Sequence, residues 1–374
     1  MLIGVRLLRC AGLMGTFLYI PWFKLDAWDV ALPALLGVVA FACLVAMIVP
    51  KWRQQAMSTL LVALGVGGVA YLMGFEEVPI QPFGILVATG VLLGARLSEW
   101  YAKREGIDPG WLADFVTHVI VIGFVACYIL NGVFYETETL IEILKDPRLL
   151  FQRWLGLSSY GGFFGAMFGL WVWKKRRKMP TLPLADAVCF GFPLGWFFGR
   201  MGCFVVHDHP GSETDFFLGV ENYYEAGIVR HDLGLYEVFI AGAMMILFLA
   251  IYFKRPDKKD RPMGLWCALM PLIYAPIRFF LDYLRATDLA SSDVRYWGLT
   301  PGQYASVAMF VVAALMLRRV LKKPEWTIPP ELAYDPDAKP AEGADEEGAA
   351  KASRSKAGAK TSKTSGKVRR RNKR

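Results

Sequence analysis

Long apolar runs, separated by short charged stretches, dominate the hydropathy pattern of this chain. Ten apolar segments stand out, at about 3–20, 30–49, 57–74, 80–101, 113–134, 158–173, 184–205, 234–253, 264–284 and 302–321. Uncharged runs such as "ALPALLGVVAFACLVAMIV" (31–49) and "VIVIGFVACYILNGVF" (119–134) are close to or at the length a helix needs to cross a bilayer. The pattern predicts an all-α polytopic membrane protein with about ten transmembrane helices. The first apolar stretch lacks a clear cleavage pattern, so it is expected to be a span and not a removable signal peptide.

Composition sharpens this reading. The 374 residues would suffice for two soluble domains, but 55% of them are apolar and 14% aromatic, with a mean hydropathy of +0.35. A soluble core cannot hide that much apolar surface, whereas a bilayer solvates it. Charge then orients the chain. One alternating set of connections, which includes "KKRRK" (174–178), holds 18 basic residues, and the other set holds 7. The positive-inside rule places the richer set, and with it both termini, in the cytoplasm. The longest connections (135–157, 206–233 and 285–301) then fall on the outer side, where their His, Asp, Glu and Tyr residues gather. Polar loops on one face of a bundle are a common seat of chemistry.

From about 324 to 374 the composition shifts to Pro, Ala, Gly, Ser and charge. An acidic part precedes "KASRSKAGAKTSKTSGKVRRRNKR", which has 11 basic residues in 24. This reads as a disordered cytoplasmic tail; contact with anionic lipid headgroups is its functional reading, and a solvated basic tail the plain one. The six cysteines (10, 43, 127, 189, 203 and 267) make no metal-ligand spacing, and five lie within apolar runs as small buried residues.

Charges at membrane depth are expensive and tend to face polar cavities. Arg200 ends an apolar run in "FFGRMGC", flanked by Gly199 and Gly202. Arg278, Asp282 and Arg285, in "APIRFFLDYLRATD", are spaced by 4 and 3 and so share one helical face. Tyr236 and Glu237 open a later span. A guanidinium stays charged and offers a planar fork to phosphate oxygens, so converging arginines suit a phospholipid phosphate. The plain alternative for each is an arginine that snorkels to the interface or pairs with a neighbouring carboxylate. "HDHPG" (207–211) invites a metal site from His207, His209 and His231, but no other residue pattern supports it, and neither metal nor cofactor is expected. In "SSYGGFFGAMFG" (158–169), closely spaced small residues fit either tight helix packing or a slim backbone that lets lipid approach Tyr160.

Six motifs occur in a familiar order: "DPRLLFQRW…SSYGGFFG" (146–165), "LADAVCFGFPLGWFFGRMGCF" (184–204), "RHDLGLYE" (230–237), "RPMG" (261–264), "IRFFLDYLRATD" (277–288) and "GLTPGQYAS" (298–306). In sequence and order they resemble the bacterial prolipoprotein diacylglyceryl transferases over about residues 80–321. The resemblance implies a seven-span core at 76–323, preceded by three extra spans within 1–75 and followed by the tail. It also implies an inner-membrane enzyme whose active face is periplasmic. Such an enzyme moves the diacylglyceryl unit of phosphatidylglycerol onto the lipobox cysteine thiol of a preprolipoprotein, releasing glycerol phosphate. On that resemblance Arg200 is the lipid-binding arginine, Arg278 and Asp282 match an essential Arg and Glu, and Gly202, Gly211, Tyr236, Glu237, Gly302 and Gln303 fill other motif positions. Arg285 would assist the other two arginines.

The chain also departs from the family pattern. Tyr160-Gly161-Gly162 stands for His-Gly-Gly, Cys203 for the Asn of Gly-Arg-x-Gly-Asn-Phe, Asp208 for a Glu, Phe83-Gly84 for Tyr-Gly, and Tyr128 for an Arg. Handling of the thiol proton is therefore assigned to Tyr160, His231 or Asp208. A rival reading is a non-catalytic paralogue that binds phospholipid or lipoprotein in the same pocket. A transporter fits less well, because the charges cluster near span ends and not at mid-depth.

Overall fold

The computed structural model describes residues 28–47, 53–72, 77–134, 136–146, 149, 159–221, 227–255, 257, 261–289, 295–322 and 328–334. Contacts divide the chain into Met1–Tyr334 and Asp335–Arg374, and every described residue belongs to the first unit. The apolar segment at 3–20 and the basic tail lie outside the described residues.

The remaining nine apolar segments are helical. They form α1 (Leu32–Met47), α2 (Arg53–Leu72), α3 (Pro82–Glu105), α4 (Pro109–Phe134), α6 (Ser159–Arg177), α7 (Leu182–Val206), α8 (Leu233–Lys254), α9 (Leu265–Leu281) and α10 (Pro301–Lys322). A short helix, α5 (Thr137–Lys145), lies in the connection after α4. Among the described residues six helices (α3, α4, α7, α8, α9 and α10) are long and apolar enough to cross a membrane. The other three apolar helices are shorter or more polar than a full span. Large apolar side chains point outward along these helices, Val121, Phe163, Ile246 and Leu315 among them, as a lipid-facing surface requires. The protein is a multi-pass membrane protein.

Small residues let the helices approach closely. Gly161, Gly165 and Gly169 recur every four residues on α6 and face α4. A Cβ on Gly161 would lie 2.9 Å from Cys127 Cα, and one on Gly169 3.0 Å from His118 O. The glycine-rich stretch "SSYGGFFGAMFG" therefore serves helix packing. Gly90 and Gly94 of α3 face Gly191 and Gly195 of α7 in the same manner.

Two small sheets interrupt the helical pattern. β1 (Trp28–Ala31) pairs antiparallel with β2 (Glu77–Ile80), on either side of α1 and α2. β3 (Pro210–Glu213), β4 (Val220–Glu221) and β5 (Val229–Asp232) form a sheet in the order β3-β5-β4, with Pro210 opposite Asp232. The latter sheet lies in the connection between α7 and α8, the "HDH" loop of the sequence.

An aromatic core closes the end of the bundle opposite this sheet. Tyr101, Phe190, Phe248 and Trp266 are buried, and the Trp266 indole donates to the Tyr101 hydroxyl at 3.0 Å. The chain stays packed past the composition change at 324: Leu332 is buried in this core, and Ala333 bridges Ile107.

Candidate functional site

Five charged side chains from three helices meet at the end of the bundle that carries the β3-β5-β4 sheet. Arg200 lies near the C-terminus of α7, Glu237 in the first turns of α8, and Arg278 near the C-terminus of α9; Asp282 and Arg285 follow in the 3-10 turn after α9. Arg200 Nε lies 2.8 Å from Glu237 Oε2, and Arg278 Nη1 3.3 Å from Glu237 Oε1. Arg278 Nη2 lies 3.0 Å from Asp282 Oδ1, and Arg285 Nε reaches the same oxygen at 3.0 Å. The result is a ladder of alternating charge. Spacings of 4 and 3 along one face make the last part legible in sequence, but the link through Glu237 is set by tertiary packing.

Exposure differs along the ladder by sign. The Glu237 and Asp282 side chains are 0% and 1% exposed, whereas those of Arg200, Arg278 and Arg285 are 20%, 17% and 24% exposed. Carboxylates lie beneath and guanidiniums on top. Three guanidiniums against two carboxylates leave one positive charge in excess, and the accessible layer is the positive one. An anion arriving there meets preoriented donors.

Surrounding groups hold the carboxylates in place. Tyr274 donates its hydroxyl to Glu237 Oε2 at 3.3 Å, and Thr300 donates to Asp282 Oδ2. Gln303 accepts from Thr300 N at 3.0 Å and donates to Phe279 O at 3.1 Å, which ties the start of α10 to the end of α9. A Cβ on Gly302 would lie 3.0 Å from Asp282 Oδ2 and crowd the carboxylate that pairs with Arg278. Gly202 makes similar room for Phe83.

The turn after α7 brings a second set of groups to Arg200. His207 takes a left-handed conformation (φ 49°), uncommon without glycine, and Asp208 N donates back to Cys203 O at 3.4 Å. His207 Nδ1 lies 2.7 Å from Asp232 Oδ2, while Asp232 Oδ1 caps α8 by accepting from Leu235 N at 2.9 Å. The pinned turn folds Asp208 and His209 over Cys203. Arg200 Nη1 lies 3.7 Å from Cys203 Sγ and 3.3 Å from His209 Nε2, and His209 Nδ1 contacts Asp208 Oδ1.

A family model described as prolipoprotein diacylglyceryl transferase matches residues 70–319. This chain belongs to that family. The phosphatidylglycerol–prolipoprotein diacylglyceryl transferase of Nitratidesulfovibrio vulgaris is 29% identical over 246 residues, covering 63% of this chain and 88% of the relative. A protein of the same name from Photobacterium profundum is 29% identical over 254 residues, covering 66% and 91%. Another, from Teredinibacter turnerae, is 26% identical over 284 residues, covering 74% and 95%.

The remaining sequence-derived transferase candidates fall into two places. His231 Nδ1 bonds the Tyr236 hydroxyl at 2.6 Å beside Phe216, and burial lowers the pKa of this imidazole. Gly211 bridges Arg285, and a Cβ there would meet His231 and Leu284 O, so this glycine ties the sheet to the ladder. Tyr160 is the second residue of α6, and its side chain lies outside the described residues. His207, His209 and His231 have different partners and do not form the metal triad that "HDHPG" suggests. Among the described residues, the one group of His, Cys, Asp and Glu close enough to share an ion is Cys203, Asp208 and His209. Sequence reasoning missed Tyr274 and Thr300. Thr300, just before Pro301 at a helix start, was findable as a cap; Tyr274, inside an apolar run, carried no local signal.

Proposed function

We propose that this protein transfers the diacylglyceryl group of phosphatidylglycerol to the lipobox cysteine of prolipoproteins, at the periplasmic face of the inner membrane. The observation that carries the reading is the ladder, with its surplus positive charge on the accessible side. Arg200 and Arg278 hold the lipid phosphate, assisted by Arg285, while Glu237 and Asp282 orient them. The acceptor thiolate attacks the glyceryl carbon. Charge then grows on the departing glycerol phosphate, and fixed guanidiniums stabilise it there without reorganising. Tyr160, His231 or Asp208 manages the thiol proton, and Gly202, Gly211, Tyr236 and Gln303 shape the pocket. The three segments before the matched region add further membrane spans, and both termini face the cytoplasm, where the basic tail contacts anionic lipid.

The test is transfer of radiolabelled lipid from phosphatidylglycerol to a lipobox peptide, using membranes that contain the full chain. Arg200→Ala is expected to reduce transfer at least about a hundredfold, as loss of a charge-stabilising donor does. Absence of transfer by both the wild type and Tyr160→His would overturn the proposal.

A further inference from the structure

His209 stands between an acid and a cation. Its Nδ1 contacts Asp208 Oδ1, and its Nε2 lies 3.3 Å from Arg200 Nη1. A guanidinium only donates hydrogen bonds, so Nε2 accepts there and the ring proton sits on Nδ1, directed at the carboxylate. That tautomer leaves the Nε2 lone pair pointing toward the arginine that the lipid phosphate meets. The same Nη1 lies 3.7 Å from Cys203 Sγ. The backbone holds the imidazole in place: Leu233 N donates to His209 O at 3.1 Å, and the His207–Asp232 contact pins the turn from behind.

A carboxylate that orients an imidazole whose far nitrogen faces the reaction site is the arrangement of a general base. Access fits as well. The His209 and Asp208 side chains are 23% and 40% exposed, whereas His207, also on an aspartate, is 4% exposed and braces the turn. Without lipid, Arg200 occupies the Nε2 lone pair, and its fixed charge opposes a second cation beside it. A phosphate oxygen is a charged acceptor and competes for Nη1 more strongly than a neutral imidazole does. Arg200 Nε stays on Glu237 meanwhile. Lipid binding thus uncovers the base and brings an anion that stabilises its protonated form. Cys203 completes the titratable groups near the ring, while Asp232 and Glu237 are engaged behind it by His207 and Arg200.

We propose that His209, oriented by Asp208, is the general base that takes the proton of the acceptor thiol, and that lipid phosphate binding at Arg200 uncovers it. The inference rests on the transferase reading and deepens it: of the three proton-handling candidates it selects Asp208, acting through its neighbour. In the step, the thiol S–H bond breaks and the proton goes to His209 Nε2. The sulfur electron pair forms the S–C bond to the glyceryl carbon, the C–O bond to phosphate breaks, and that pair leaves on the glycerol phosphate held at Arg200 and Arg278. His209 then returns its proton to solvent. Asp208 is a positioning residue, since it touches the imidazole and not the thiol.

The experiment follows transfer by the purified full-length protein in phosphatidylglycerol nanodiscs, to a lipobox peptide and to the same peptide with selenocysteine for cysteine. A selenol is already ionised at neutral pH and needs no base. With the cysteine peptide, His209→Gln is expected to slow transfer roughly 10²–10⁴-fold, the usual share of a positioned base. Its residual rate should climb with pH toward the ordinary thiol titration near about 8.5, a range in which the wild type has levelled off. Asp208→Asn is expected to slow the cysteine reaction at least about tenfold, through loss of the correct tautomer. Both variants should transfer to the selenocysteine peptide at the wild-type rate. Equal losses on the two peptides would assign His209 a structural role and overturn the proposal, as would normal transfer to cysteine by His209→Gln. The uncovering is read without turnover, from the nitrogen resonances of the four histidines. The resonance lost in His209→Gln should titrate at higher pH in phosphatidylglycerol than in digalactosyldiacylglycerol, which has no phosphate. Equal titration in the two lipids would overturn the uncovering. A wild type that transfers to neither peptide would instead overturn the transferase reading, and a lipid-dependent titration would then leave the phosphate-responsive imidazole standing.

Discussion

Arginine meets carboxylate at both ends of the helix bundle, with opposite results. At one end Arg261 Nη1 lies 2.7 Å from Glu105 Oε1, with side chains only 3% and 1% exposed. Arg261 also donates to Arg255 O at 2.7 Å and stacks over Tyr252, 4.2 Å from the ring centroid. That pair is neutral and enclosed, and it holds α3 against the α8–α9 connection. At the other end the ladder from Arg200 to Arg285 has one more cation than anion and keeps its cations accessible. The same two functional groups thus make a fastener where charge balances and water is excluded, and a receptor where it does not.

Mutations should separate the two. The largest effect on function is expected at the ladder: Glu237→Gln should lower transfer per folded molecule about a hundredfold. Normal transfer in Glu237→Gln would remove the distinction. At the opposite end, Glu105→Ala leaves a guanidinium buried without its carboxylate and should cost about 3–5 kcal/mol of stability, read from thermal unfolding in detergent. Transfer per folded molecule should be preserved there. Replacing both partners, Glu105→Leu with Arg261→Met, should recover most of that loss and come within about 1 kcal/mol of the wild type. In the ladder, Arg278→Lys keeps the charge but loses the fork, so about a tenfold rise in KM for lipid is expected in the transfer assay.

The smallest effect concerns pH. Burial lowers the pKa of His231 below its ordinary value near 6.5. As pH falls, the unfolded chain therefore takes up this proton before the folded one, and stability declines between about pH 6.5 and the lower folded-state value. His231→Asn should abolish that slope in thermal midpoints measured against pH. A slope unchanged by the substitution would assign it to another group.

The helices were legible because a bilayer demands long apolar runs, and nine of the ten segments read from sequence fall within the described helices. Six meet the requirements of a span on their own; α1, α2 and α6 are apolar in pattern but short or interrupted by polar residues. The site was legible in part. Arg278, Asp282 and Arg285 share a helical face by arithmetic, whereas Glu237 joins Arg200 to Arg278 across 37 and 41 positions, which no local pattern encodes. The grouping of Cys203 with Asp208 and His209 depends on a histidine in a conformation usually left to glycine, and propensity argues against that. The β3-β5-β4 sheet was hidden too, since its strands are only 2–4 residues long and carry no alternation.

Asp232 carries an engineering consequence. Its two oxygens are divided between the start of α8 and the His207 turn, so the residue is constrained twice, once by each neighbour. Register sets further limits, with Pro210 fixed opposite Asp232 and Glu213 opposite Arg230. β4 adds Val220 opposite Arg230 and Glu221 opposite Val229, so a redesign of this loop has to keep 210–213, 220–221 and 229–232 in register if both clamped ends are to stay untouched.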